Sequence, residues 1–207
     1  MRKLWVLALS VMTIFTFAAC GNTSAGSTAP KVEDKQNTAD APTKKTNKTL
    51  VAYFSCTGNT RKLAETTAAA IGADLYEIVP AQPYTDNDLN YNDESTRSTV
   101  EQKDDKARPA LKDKNANVAA YDCIVVAYPI WWGQAPRIVD TFMESYDFSG
   151  KTVVPICTSG GSGIGSSGDY LKSITHGSAD WKAGRLFRSN TSAQEIKNWW
   201  ESLGIGK

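Results

Sequence analysis

The chain has 207 residues, of which 23 are Lys or Arg, 22 are Asp or Glu and 41% are hydrophobic. This composition is typical of a globular protein and unlike that of a collagen or a wholly disordered chain. The near balance of charge argues against nucleic acid as a partner, because contact with phosphates requires a basic excess. The length suffices for one sizeable domain or two small ones.

The first 19 residues have the pattern of a secretory signal peptide. A basic dipeptide near the start precedes the stretch Leu4 to Phe17, in which 11 of 14 residues are apolar, and two alanines follow. The apolar stretch is too short to cross a bilayer core, which needs about 20 residues, and the alanines suit a cleavage site. We therefore predict that residues 1–19 are a signal peptide.

Cys20 directly follows these alanines, an arrangement that resembles the lipobox of bacterial lipoproteins, in which the cysteine thiol receives a diacylglyceryl group. Phe17 departs from the usual aliphatic residue at its position, so an ordinary signal peptide cut nearby is the alternative. Residues 20–48 are too polar to form a core, which predicts a flexible tether that spans about 30 Å. The resemblance implies an extracytoplasmic protein anchored to the cell membrane through lipidated Cys20.

Residues 49–207 are predicted to fold, and they carry 16 basic and 19 acidic residues, a net charge of −3. With Cys20 assigned to lipid, the odd remainder of Cys56, Cys123 and Cys157 does not indicate a disulfide framework. The sequence has a single histidine and no Cys-x-x-Cys pair, so we expect no metal site.

The predicted folded part alternates short apolar runs with stretches of helical periodicity. Strands are predicted at 50–54, 75–79, 124–128, 152–157 and 184–187. Helices are predicted at 63–71, after Pro136, around 171–174 and after Ser192. The last is the clearest, because Ser192 and Glu195 have the spacing of a capping box. A long polar stretch separates the second strand from the third.

This alternation predicts a doubly wound α/β fold, in which a parallel sheet is covered by helices on both faces. Ligands of such sheets bind outside the carboxyl ends of the strands, so we expect the site in the loops after the first, third and fourth strands. Pro155 lies inside the fourth strand and has no N–H. We predict that the neighbouring fifth strand is short or displaced beside it.

The loop after the first strand, Ser55 to Thr60, combines hydroxyls, a carboxamide and one glycine and leads directly into a helix. Backbone N–H groups of the turn and of the first helical residues would converge there, with the helix dipole behind them. This predicts an anion cradle of phosphate size, although the Gly-Lys-Ser/Thr of a Walker A loop is absent. The alternative is a well-capped helix with incidental hydroxyls.

The loop after the third strand carries Trp131 and Trp132, which have no periodic reason to be buried and could stack on a flat heteroaromatic ring. Alternatively, one of them closes the end of the core. The glycine-rich stretch Thr158 to Gly168 follows the fourth strand and offers backbone groups to the polar edge of such a ring. The alternative for this stretch is a flexible surface loop.

Together the loops suit a ligand with a phosphate, a short spacer and a planar ring. FMN is the simplest ligand that has all three. Their sequences resemble motifs of flavodoxin-like FMN proteins, and these motifs are Tyr53-Phe54-Ser55-x-Thr57-Gly58-Asn59-Thr60, Tyr121-Asp122-x-Ile124, Tyr128-Pro129-Ile130-Trp131-Trp132 and Thr158-Ser159-Gly160-Gly161-Ser162-Gly163. The resemblance implies a flavodoxin-like, doubly wound five-stranded parallel sheet with strand order 2-1-3-4-5. It also implies noncovalently bound FMN.

The resemblance further assigns residues to the cofactor. The 5′-phosphate would be held by Ser55, Thr57, Gly58, Asn59 and Thr60. The isoalloxazine would be flanked by Pro129, Ile130, Trp131, Trp132, Gly133, Thr158, Ser159, Gly160 and Gly161. Family-like pieces around Tyr84, Glu101 and Arg108 are expected to shape the far wall of the pocket.

This assignment implies electron transfer or oxidoreduction with an unknown partner protein or small-molecule acceptor. The net charge of −3 is less acidic than that of the soluble carriers of the family, which weighs against that particular role. Two alternatives stay open, an NAD(P)H-dependent flavin or quinone reductase and a nonredox module that binds a phosphorylated ligand.

Overall fold

The computed structural model describes residues 48–205, so the predicted signal peptide, nearly all of the predicted tether and Cys20 lie outside the described residues. Within this range the strands are β1 (Thr49–Tyr53), β2 (Asp74–Glu77), β3 (Cys123–Pro129), β4 (Thr152–Thr158), β5 (Asp180–Trp181) and β6 (Arg185–Leu186). The α-helices are α1 (Asn59–Ile71), α2 (Arg97–Lys103), α3 (Arg137–Glu144), α4 (Ser167–Ile174) and α5 (Ala193–Ser202). None of the helices in this range is long and apolar enough to span a membrane.

All strands pair in parallel, in the order β2-β1-β3-β4-β5, and β6 also pairs with β4. Alternate residues of β3 enter two different cores, with Ile124, Val126 and Tyr128 in one and Cys123, Val125 and Ala127 in the other. Helices α3 and α4 cover the first core, whereas α1 and α5 cover the second. The predicted doubly wound fold and its strand order are confirmed.

The fifth strand position is divided into two short strands beside Pro155. β4 pairs with β5 through Thr152 and Val153, and with β6 through Ile156 and Cys157. Pro155 faces the gap, because it has no N–H to donate to a neighbouring strand. The predicted interruption is confirmed, and β6 lies inside the predicted run, whereas β5 was not predicted.

The helix ends follow local sequence signals. α1 ends at Gly72, whose φ of 67° is in the left-handed region that favours glycine. Ser192 caps α5, since its Oγ accepts the N–H of Glu195 at 3.2 Å. The Glu195 carboxylate bonds the Arg185 guanidinium at 2.9 Å, so this side chain links the helix to β6.

The insert between β2 and β3 contains α2, which the sequence did not predict because its buried residues, Ser98, Thr99 and Gln102, are all polar. Hydrogen bonds from buried Arg137 of α3 hold this insert in place. Its guanidinium donates to the Gln102 carbonyl at 3.0 Å and also bonds Asp105. The polar contacts of α2 therefore replace the apolar stripe that would have revealed the helix.

Gly184 lies close against Pro155 and leaves no room for a side chain. A Cβ at this position would lie 2.7 Å from the Pro155 carbonyl oxygen and 2.6 Å from Ile164 Cδ1. We predict that Gly184→Ala lowers the free energy of unfolding by about 1–3 kcal/mol, because the backbone at Pro155 or Gly184 must shift to admit the methyl group. Urea denaturation measures this change. Gly163→Ala is the control, since its Cβ would meet nothing closer than 4.0 Å. Equal losses in the two variants would contradict the close packing.

Candidate functional site

A cavity of about 870 Å³ opens at the carboxyl ends of β1, β3, β4 and β6. Eleven of the fourteen predicted cofactor residues line it, and they are Ser55, Thr57, Asn59, Thr60, Pro129, Ile130, Trp131, Trp132, Thr158, Ser159 and Gly160. Gly58, Gly133 and Gly161 belong to the same loops but do not line the cavity. The structure thus brings the three predicted loops to one place.

The loop after β1 is organised by its own hydroxyl and amide groups. Ser55 Oγ accepts the N–H of Gly58 at 3.1 Å, and Asn59 Nδ2 donates to Thr57 Oγ1 at 3.2 Å. Gly58 has a φ of 85°, a left-handed conformation in which other residues are strained. Gly58 therefore forms the turn into α1.

The amino end of α1 has no side-chain cap and no acidic residue in its first turn. N–H groups at the start of an α-helix have no acceptor inside the helix, so those of Asn59 and Thr60 are available to another group. The structure therefore favours the anion cradle over the alternative of a well-capped helix.

One hydrogen bond joins two of the predicted loops. Thr60 Oγ1 at the start of α1 lies 2.8 Å from Thr158 Oγ1 at the end of β4, and both residues are buried. Beyond Thr158, Ser159 Oγ accepts the N–H groups of Gly161 and Ser162 at 3.2 and 3.0 Å. Hydrogen bonds therefore define the path of this glycine-rich loop along the cavity wall.

The two tryptophans after β3 differ in environment. The Trp131 ring packs edge-on against Phe54 and Tyr84, with ring centres 5.6 and 5.4 Å apart. Trp132 is 46% exposed. Trp131 thus closes the end of the core and also lines the cavity, whereas Trp132 has no core role.

A tight turn sets the position of Trp132. Trp131 and Gln134 exchange two backbone hydrogen bonds, of 2.9 and 3.0 Å. Between them, Trp132 has a φ of 46° and Gly133 a φ of 80°, as in a type I′ turn. A left-handed conformation costs a residue such as tryptophan about 1–2 kcal/mol. Gly133 supports the site through this turn rather than by lining the cavity.

The family-like residues Tyr84 and Glu101 of the insert form a cluster with Arg97, and this cluster packs behind Trp131. Arg97 lies over the Tyr84 ring at 4.1 Å from its centre, and Glu101 bonds both the Tyr84 hydroxyl and Arg97 Nε, at 2.5 and 2.6 Å. Burial, followed by the hydrogen bond to Glu101, raises the pKa of Tyr84, so its hydroxyl remains a donor at neutral pH. This cluster supports the Trp131 side of the cavity.

Several lining residues were missed by sequence reasoning. They are Cys56, Leu89, Tyr91, Ser98, Phe187, Arg188, Ser189 and Asn190. The last four follow β6 at the carboxyl edge of the sheet, so the rule that identified the other loops could have found them. Leu89, Tyr91 and Ser98 come from the insert, whose polar sequence gave no such signal.

Two of these residues present unmatched polar groups. Arg188 is the only charged residue among those that line the cavity, and its guanidinium has no ion-pair partner among residues 48–205. The buried Ser98 hydroxyl has no hydrogen-bond partner in the same range. A buried hydroxyl normally has a hydrogen-bond partner, so Ser98 suits a ligand that brings a polar atom to this wall, whereas the exposed Arg188 offers a positive charge to an anionic group. Within the described chain, no group of three or more His, Cys, Asp or Glu side chains could hold a metal ion.

Residues 48–203 match the model of the flavodoxin family, and the chain belongs to this family. A candidate flavoprotein from Bacteroides eggerthii with a crystal structure is 48% identical in sequence to this chain. The match covers 76% of this chain and 98% of that protein, with a TM-score of 0.71. A corresponding structure from Bacteroides uniformis is 44% identical, with coverages of 75% and 98% and a TM-score of 0.68.

The fold is also that of a Lactobacillus acidophilus flavoprotein crystallised in complex with FMN. That protein is 21% identical, the match covers 74% of this chain and 99% of the other, and the TM-score is 0.53. No curated protein matches the sequence.

Cys56 lines the cavity and is exposed, but we expect its thiol to react more slowly than a free cysteine. Desolvation raises the pKa of its thiol to about 12, against a smaller opposing effect of Arg97. Because the thiolate is the nucleophile, iodoacetamide at pH 8 should alkylate Cys56 more slowly than a cysteine in an unfolded peptide. Mass spectrometry after timed quenching measures this rate, and alkylation at the peptide rate would contradict the raised pKa.

Proposed function

We propose that the protein binds FMN noncovalently in this cavity and serves in electron transfer or oxidoreduction. The observation that carries the proposal is the uncapped amino end of α1, which meets an aromatic turn and a hydroxyl-rich loop in one cavity. An anion site beside flat apolar surfaces suits a phosphorylated, planar ligand. The FMN complex of the Lactobacillus protein, which shares the fold, supports the choice of FMN.

The lining residues divide into those suited to the phosphate and those suited to the ring. Thr57, Asn59 and Thr60 offer hydroxyl, amide and N–H donors at the start of α1. Arg188 adds a cation to a cavity that otherwise lacks charge, which favours a ligand that bears a phosphate. Trp132 and the residues before it supply apolar surface for the ring.

When bound, FMN supplies the redox chemistry, and the chain supplies binding, orientation and the electrostatic environment. No carboxylate or histidine of the described chain lines the cavity. Cys56 retains its proton at neutral pH, because desolvation raises the pKa of the thiol. The chain therefore acts on the bound ring through stacking, hydrogen bonds and the field of Arg188.

We further propose that lipidated Cys20 anchors the domain at the outer face of the cytoplasmic membrane. The pattern of basic, apolar and small residues before Cys20 supports this location. The family match begins at residue 48, so the polar segment between Cys20 and the domain can serve as a tether. On this proposal, the domain exchanges electrons with a redox protein or a small-molecule acceptor that reaches the open side of the cavity.

Replacing Thr60 tests the phosphate cradle. Thr60→Val keeps the shape of the side chain and removes its hydroxyl, which also bonds Thr158. FMN affinity should therefore fall about 10- to 100-fold, through loss of a hydrogen bond to a charged group and of the contact between the two loops. Quenching of flavin fluorescence by the apoprotein measures the affinity. Thr66→Val on the same helix is the control, since the Thr66 hydroxyl bonds the Lys62 carbonyl and Thr66 does not line the cavity.

Thermal unfolding of both variants separates loss of binding from loss of folding. If folded Thr60→Val bound FMN as tightly as the wild type, Thr60 would not be part of the cradle. If the wild type left flavin fluorescence unchanged and stayed colourless with FMN, the proposed function itself would be wrong.

Cys20 is tested in a bacterial host that processes lipoproteins. The full-length wild type should incorporate labelled fatty acid and sediment with membranes, whereas Cys20→Ser should do neither, because the thiol is the acylated group. Cys56→Ser is the control and should behave as the wild type. An unlabelled wild-type protein in the soluble fraction would contradict the anchor.

A further inference from the structure

Residues 80–111 of the insert leave the sheet and return to the same place. Pro80 and Leu111 form an antiparallel bridge, and next to it the Ala81 N–H donates to the Ala110 carbonyl at 2.8 Å. A segment whose ends meet can change position while the chain before and after it stays in place. We name residues 80–111 the looped segment.

The looped segment has no apolar core of its own. The structure describes all of its residues, and none of the apolar ones is fully buried. Even Tyr84, whose ring packs edge-on against Trp131, is only partly buried. The buried residues of the segment are Ser98, Thr99 and Gln102, which are all polar. Because segments with few buried apolar contacts open at a lower cost in free energy, the looped segment should open more readily than the buried strand β3.

Polar contacts hold the looped segment against α3 and the turn before it. The Arg108 guanidinium makes two hydrogen bonds of 2.7 Å to the Glu144 carboxylate. Gln102 Nε2 donates to the Ala135 carbonyl at 3.0 Å, and the Arg137 guanidinium donates to the Gln102 carbonyl at 3.0 Å. Contacts of this kind can break and form again, since water replaces each partner when the segment moves away.

The same contact buries polar atoms that have no partner. Within residues 48–205, these atoms include Gln102 Oε1, Arg137 Nε and Asp140 Oδ1. Burial also raises the pKa of Asp140 to about 6, so the docked state disfavours the charged carboxylate although Arg137 and Arg108 lie beside it. Opening would hydrate all of these groups, and this hydration offsets part of the free energy lost with the ion pairs.

The looped segment is also one wall of the large cavity. It contributes Leu89, Tyr91 and Ser98 to the lining. The buried Ser98 hydroxyl is another polar atom without a partner among residues 48–205. A ligand in the cavity touches these residues only while the segment is docked, so binding favours the docked state over the open one.

We propose that the looped segment is a lid that opens as one unit while the sheet stays folded, and that FMN enters and leaves through this opening. The inference rests on the proposed function, because it assigns the lid to the FMN cavity. Arg108 and Glu144 form its latch. They are positioning residues, since neither of them lines the cavity.

Hydrogen exchange of the wild-type apoprotein, followed by mass spectrometry, tests the opening without any cofactor. The amides of α2, which belongs to the looped segment, should exchange at least about tenfold faster than those of β3, because they become exposed without global unfolding. Equal protection of α2 and β3 would overturn the inference.

The FMN rate constants of Glu144→Gln test the lid as the route of the cofactor. The variant loses the charge that binds Arg108, so the lid should open about three- to tenfold more often. Association and dissociation rate constants, measured by stopped-flow flavin fluorescence, should rise by the same factor, and Kd should stay within about twofold of the wild type. Unchanged rate constants would overturn the inference. A rise in the dissociation rate constant alone would also overturn it, because Glu144 would then shape the site itself.

Glu77→Gln is the matched control. Glu77 bonds Arg61 and is about as exposed as Glu144, at 35% against 32%, but it lies on β2 outside the looped segment. Its rate constants should stay within about twofold of the wild type, and equal effects of the two variants would overturn the inference. A wild-type protein that does not bind FMN removes the proposed function together with the lid's role in it. Equal protection of α2 and β3 in a protein that binds FMN removes the lid alone.

Discussion

The parallel pairing of β1, β3 and β4 is the constraint on which the site depends. Tyr53 pairs with Ala127, and Ala127 pairs with Ile156, so the three strands reach the same edge of the sheet at the same level. Their loops must therefore open side by side, and the buried bond between Thr60 and Thr158 joins the first loop to the last. The cavity is a consequence of register, since no single loop could form an anion cradle and an aromatic wall.

Backbone constraints outside the cavity decide what reaches it. Pro155 interrupts the pairing with the fifth strand position, and the chain resumes as β6, which leads directly to Arg188 at the cavity. On the other side, α2 is held against α3 by buried polar contacts and carries the wall that includes Ser98. A cation therefore lines the cavity of a domain whose predicted net charge is −3. The charge at the site is opposite in sign to the net charge of the domain, and only the folded structure shows this.

Much of the fold was readable in the sequence because buried parallel strands are continuous apolar runs and proline has a definite meaning within a strand. The three loops were predicted for the same reason, since strand ends locate ligands in this fold class. The insert was not predicted, because α2 buries Ser98 and Gln102 through hydrogen bonds and has no apolar periodicity. Nor could the sequence separate Trp131 from Trp132, since packing on Phe54 and Tyr84 is a tertiary contact.

The central claim is that the loop after β1 and the amino end of α1 recognise a phosphate. Comparing FMN with riboflavin, which has the same ring and ribityl chain without the phosphate, tests this claim most directly. Charge-assisted hydrogen bonds from the helix amino end and from Arg188 should make FMN bind at least about a hundredfold more tightly in titrations of the wild-type apoprotein. Equal affinities for the two flavins would contradict the account.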